Sequence, residues 1–61
     1  MSANKAPNSQ DYIRAFRHMA KGPAAAQAVA NAANKKASRC SGKARQGWVD
    51  IAHAAMEVIT K

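Results

Sequence analysis

Residues 34–47 read NKKASRCSGKARQG and place Lys35, Lys36, Arg39, Lys43 and Arg45 within eleven positions, with no acidic residue among them. Half of the ten lysines and arginines of the chain stand there. Like charges at this density raise a local positive potential, and the chemistry of such a potential is attraction of a polyanion or of an acidic protein surface. A second basic set, Arg14, Arg17 and Lys21, recurs at the three- and four-residue spacing of one helix stripe.

A plainer reading applies to part of this charge. Lys35, Lys36 and Arg39 fall in the last turns of a predicted helix, where each cation offsets the exposed carbonyls and the negative end of the helix dipole by roughly 0.3–1 kcal/mol. That accounts for their position but does not require five cations across the window. Arg14, Arg17 and Lys21 taken alone describe a solvated helix face. Together with the cluster and a formal charge of +7 on 61 residues, they point to an anion-binding surface.

If the ligand is nucleic acid, affinity arises from phosphate contacts and counterion release, and base reading needs further polar side chains. Gln27, Asn31, Asn34, Ser38 and Gln46 are the candidates for that role. No helix-turn-helix pattern is present, because the Ser-Gly-Lys break at residues 41–43 comes too late for a short first helix. Trp48 lies on an apolar face, so it is expected in the core rather than under a stacked base.

Other chemistry finds little support. Asp50, His53 and Glu57 share the polar face of the last predicted helix, but no cysteine or histidine stands at ligand spacing elsewhere, so a solvated face is expected and no metal. His18, among Arg14, Arg17 and Lys21, reads as a surface residue. Ser41-Gly42-Lys43 lacks the upstream glycine of a phosphate-binding loop, and no nucleophile, base and orienting acid fall into register. The chain is read as a non-enzyme without a cofactor. Cys40 lies on a packing stripe, where a buried inert thiol is usual; if exposed, the neighbouring Lys36, Arg39 and Lys43 would activate it.

The elements that position these residues are helical. Residues 1–8 show no periodicity and are expected to form a mobile arm, with Ser9 as the N-cap of a first helix over 10–21. On that helix Tyr12, Ile13, Ala15, Phe16, Met19 and Ala20 form one side, and Arg14, Arg17, His18 and Lys21 the other. Gly22 suits a left-handed C-cap, and Pro23 a first helical turn.

A second helix over 24–40 is alanine-rich, with Ala26, Val29, Ala33, Ala37 and Cys40 at packing spacing. So shallow a stripe fits either the central helix of a compact bundle or a homodimer seam. Gly42 interrupts the pattern, and a third helix over 43–60 follows, with Ser41 as a candidate cap. Trp48, Val49, Ile51, Ala52, Ala55, Met56, Val58 and Ile59 make its apolar side. Gly47 sits at the edge of that side, where a missing side chain would let the helix close on the alanine stripe.

These elements give an all-α fold, a small antiparallel up-down-up three-helix bundle over 9–61. In that arrangement Arg14 joins the turn cluster, whereas Arg17 and Lys21 trail away from it. Sixteen alanines and few large apolar side chains make a thin core, and one cysteine excludes an internal disulfide. A homodimer or stabilisation on a partner is therefore expected. The absence of a signal peptide or a spanning apolar run, with one cysteine, fits a cytoplasmic protein.

Two functional readings follow. One is a small nucleic-acid-binding regulator or accessory factor, DNA ahead of RNA, acting through Arg14, Arg17, Lys21, Lys35, Lys36, Arg39, Lys43 and Arg45. The other is a small inhibitor or adaptor that docks the same basic face on an acidic protein. Membrane binding is disfavoured because the apolar faces match one another, and a nucleic-acid mimic is excluded by the sign of the charge.

Overall fold

The computed structural model describes residues 5–60. Three helices follow in order, α1 (Ser9–Met19), α2 (Pro23–Ser38) and α3 (Gly42–Thr60), in the bundle expected from the sequence.

Asn8, not Ser9, caps α1. Its extended backbone turns the side chain inward, so that Asn8 Oδ1 accepts from the Asp11 N–H and Asp11 Oδ2 accepts from the Asn8 N–H, both at 3.0 Å. This reciprocal box satisfies two orphan backbone donors at once. A Ser9 cap would leave no acidic partner three residues on, since that position is Tyr12. Asp11 also sets a negative charge in the first turn, where the helix dipole favours it.

The helix closes two residues earlier than expected. Ala20 is its C-cap, and the Lys21 and Gly22 amides turn back to the His18 and Met19 carbonyls at 3.1 and 3.3 Å. Gly22 has the positive φ expected of it, 141°, but as the N-cap residue of α2 rather than as the cap of α1. Pro23 at the first position of α2 loses nothing by lacking an N–H. At the far end of α2 the Arg39 and Cys40 amides bond to the Lys36 and Ala37 carbonyls, each at 3.1 Å. That tightened turn stops the helix at Ser38 instead of residue 40.

The core lies mainly between α2 and α3. All five residues of the alanine stripe are buried, and Ala30 joins them, against Trp48, Ile51, Ala52 and Ala55. Alanine against alanine lets two helices approach closely but encloses little apolar area. Because the stripe is covered by α3, it is not a homodimer seam.

The face of α1 is only partly used. Met19 is buried and Tyr12 and Ala15 are half-buried, but Ile13 and Phe16 remain 49% and 48% exposed, and Ala20 is exposed as well. α1 packs less extensively on the other two helices than those two pack on each other.

The segment before α1 is laid against α3. Trp48 Nε1 donates to the Lys5 carbonyl at 2.9 Å, across 43 positions of sequence. A Cβ on Gly47 would fall 2.6 and 2.8 Å from Cδ and Cγ of Pro7 and 3.5 Å from Oη of Tyr12. The missing side chain of Gly47 thus admits Pro7 and Tyr12, not the alanine stripe. Of the arm expected over 1–8, residues 1–4 lie outside the described residues, and Lys5, Pro7 and Asn8 hold these specific contacts.

Candidate polyanion-binding groove

The cations of α1 stand on one stripe because 14, 17 and 21 are three and four residues apart. With α1 resting on the outer side of α2, that stripe and Lys36 line a single open groove of about 790 Å³. Buried Val29, Ala33, Trp48 and Ile51 lie beneath it, and exposed Ala28 and Ala32 give it a smooth apolar wall. His18 also lines the groove and is exposed.

A smaller hollow of about 250 Å³ lies beside it, lined by Lys5, Asn8, Asp11, Lys36, Arg39 and Trp48. Lys36, Asp11 and Trp48 line both recesses. The Lys36 ammonium stands 4.7 Å from the centroid of the Trp48 ring, within the distance at which the ring quadrupole attracts a cation. Trp48 itself is 8% exposed, a core residue as its place on the apolar face implied.

The basic residues singled out in the sequence therefore divide differently from the expected pattern. Arg14, Arg17, Lys21 and Lys36 share the groove, and Arg39 joins Lys36 in the adjoining hollow. Arg17 and Lys21, expected to trail along α1 away from the turn cluster, line the same recess as Arg14. Lys35, Lys43 and Arg45 are exposed and line neither recess. Lys5 is an addition: no local pattern marked it, and only the long-range bond of its carbonyl to Trp48 sets it beside Arg39.

Asp11 lines both the groove and the hollow and sets one negative charge among their cations, whereas Asp50 and Glu57 line neither. Asp11 closes the capping box, Asp50 accepts from Gln46 Nε2 at 2.9 Å, and Glu57 lies towards the end of α3. At the start of α3 the charge even opposes the helix dipole. Its first turn holds no acid while Lys43 and Arg45 stand in its opening residues, an arrangement unfavourable by roughly 0.3–1 kcal/mol per cation. The dipole accounts for Lys35 and Lys36 in the last turn of α2 but not for these two.

Four of the five polar side chains expected to read bases hold hydrogen bonds within their own helices. Gln27 Nε2 donates to Asn31 Oδ1 at 3.0 Å, and Ser38 Oγ to the Lys35 carbonyl at 2.7 Å. Neither they nor Asn34 and Gln46 line the groove. Asp50, His53 and Glu57 are exposed along α3, and no group of three metal-binding side chains gathers among the described residues. Cys40 is buried at 8% exposure. No described helix is long and apolar enough to cross a membrane.

Comparison of the chain with protein-family models, curated proteins and solved structures gives no match.

Proposed function

We propose that this protein binds nucleic acid through its phosphates and without reading its sequence, as a small regulator or accessory factor. The observation that carries the proposal is the sharing of one open groove by Arg14, Arg17, Lys21 and Lys36, contributed by two helices. Cations held on separate helices and turned to a common recess present a row of donors to a row of phosphates, whereas a merely solvated face has no reason to converge. The placement of Gln27, Asn31, Ser38 and Gln46 away from that recess favours backbone contact over base readout. Lys35, Lys43 and Arg45 add to the long-range field that draws a polyanion in.

The test is binding of labelled DNA and RNA oligonucleotides across a salt series. Four phosphate contacts correspond to a slope of log K against log salt of about −3 to −4. Absence of binding at low salt would exclude the proposal.

One observation favours a second reading, docking on an acidic protein. Ile13 and Phe16 are half exposed beside Arg14 and Arg17, and an apolar patch ringed by cations fits an amphipathic acidic partner.

A further inference from the structure

Resting on the polyanion reading, we infer that the ligand of the groove is single-stranded rather than duplex nucleic acid. The track it follows runs past Lys21, Arg17 and Arg14 to Lys36, and on to Arg39 and Lys5.

Shape is the first ground. A duplex is convex, and proteins grip it with a protruding helix or ribbon that enters a groove about 12 Å wide. Here the relation is reversed, because the cations line a recess between α1 and α2. A single strand, with its bases free to turn, enters it.

The second ground is the lining. Exposed Ala28 and Ala32, with Ile13 opposite, give the recess an apolar wall among its cations. Duplex DNA keeps its base faces stacked and offers such a wall nothing. Proteins that hold single strands combine a positive channel for the backbone with apolar or aromatic surface for the bases, and they need no sequence-reading side chains.

Continuity is the third. Lys36, Trp48 and Asp11 line both the groove and the smaller hollow, so the two recesses adjoin at these residues, and the strand passes one carboxylate among the cations there. Lys5 and Arg39 then extend the row of cations beyond the four of the groove. A strand passing this junction draws the Lys36 ammonium from the face of Trp48, and the sole tryptophan of the chain reports the passage.

The experiment compares the full-length protein on a mixed-sequence single-stranded DNA, the same strand as RNA, and the blunt DNA duplex, at equal length and salt. Variants Ala32→Glu and Asn31→Glu are measured beside the wild type, with helicity checked by circular dichroism. Both positions are exposed on α2, but only Ala32 lines the groove. The expected result is single-strand affinity at least about tenfold above that for duplex, a change in tryptophan emission on binding, and a loss of about tenfold in Ala32→Glu against no more than about threefold in Asn31→Glu. Duplex affinity equal to or above that of the strand would overturn the inference while leaving phosphate binding intact. So would equal losses in the two variants. Failure of all three probes to bind at low salt would remove the polyanion reading itself.

Discussion

Pro7 occupies the space that a side chain on Gly47 would need: a Cβ there would meet the proline ring at 2.6 and 2.8 Å. Gly47 lies inside α3, where glycine costs about 0.5–1 kcal/mol relative to alanine. The close seat of Pro7, beside the bond from Trp48 Nε1 to the Lys5 carbonyl, gives that cost a structural reason. The contact ties the segment before α1 to the helix that carries the core.

Gly47→Ala is therefore expected to gain helix propensity and lose the seat of Pro7. Tryptophan emission should shift to the red as the cover over Trp48 loosens. In Pro7→Ala/Gly47→Ala the clash is gone, so the double variant should be more stable than the sum of the single effects, by about 0.5 kcal/mol or more in a thermodynamic cycle. Strict additivity would show that the two residues do not meet.

Removal of the cap separates Asn8 from Ser9. Asn8→Ala is expected to lose about 1 kcal/mol through the capping box, and Ser9→Ala less than about 0.5 kcal/mol. Urea unfolding followed by circular dichroism measures both. Equal losses would return the cap to Ser9.

Close packing of α2 against α3 makes Ala33 and Ala32 respond differently. Ala33, 3% exposed, has no room for a larger side chain, so Ala33→Leu is expected to cost about 1–3 kcal/mol by overpacking. Ala32→Leu, on the exposed wall of the groove, should stay within about 0.5 kcal/mol of wild type. Tolerance of leucine at both positions would contradict the buried stripe.

Lys36 has two roles that one substitution tests. Lys36→Gln removes the cation over Trp48 and should cost about 0.5–1 kcal/mol. It should also reduce the magnitude of the salt slope of nucleic-acid binding by about 0.7–0.9, the share of one phosphate. An unchanged slope would take Lys36 out of the interface.

Much of the fold was legible because its signals are local. The alanine run, the Gly22-Pro23 punctuation and the apolar side of α3 fix three helices, and the spacing of Ala26, Val29, Ala33, Ala37 and Cys40 identifies the packing stripe residue by residue. Helix ends were less legible. Asn8 and Ser9 are both good caps, and the choice depends on Asp11 standing three residues after Asn8.

The site was legible only as an inventory of charge. That Arg17 and Lys21 share a recess with Lys36 depends on how α1 sits against α2, a tertiary relation that no local spacing encodes. Lys5 beside Arg39 depends on a bond spanning 43 positions, for which no sequence pattern exists. The cations of 34–47 are dense in sequence, whereas those that share one recess lie mostly along α1.

The central claim is that the groove, not the turn, holds the polyanion, and one comparison decides it. A labelled single-stranded oligonucleotide is titrated by fluorescence anisotropy at fixed low salt with wild type, with Arg14→Gln/Arg17→Gln/Lys21→Gln, and with Lys35→Gln/Lys43→Gln/Arg45→Gln. Each variant removes three charges, so the global field falls equally. The groove variant is expected to lose at least about tenfold more affinity than the turn variant and to lower the magnitude of the salt slope by about 2. Equal losses, or a greater loss in the turn variant, would contradict the account.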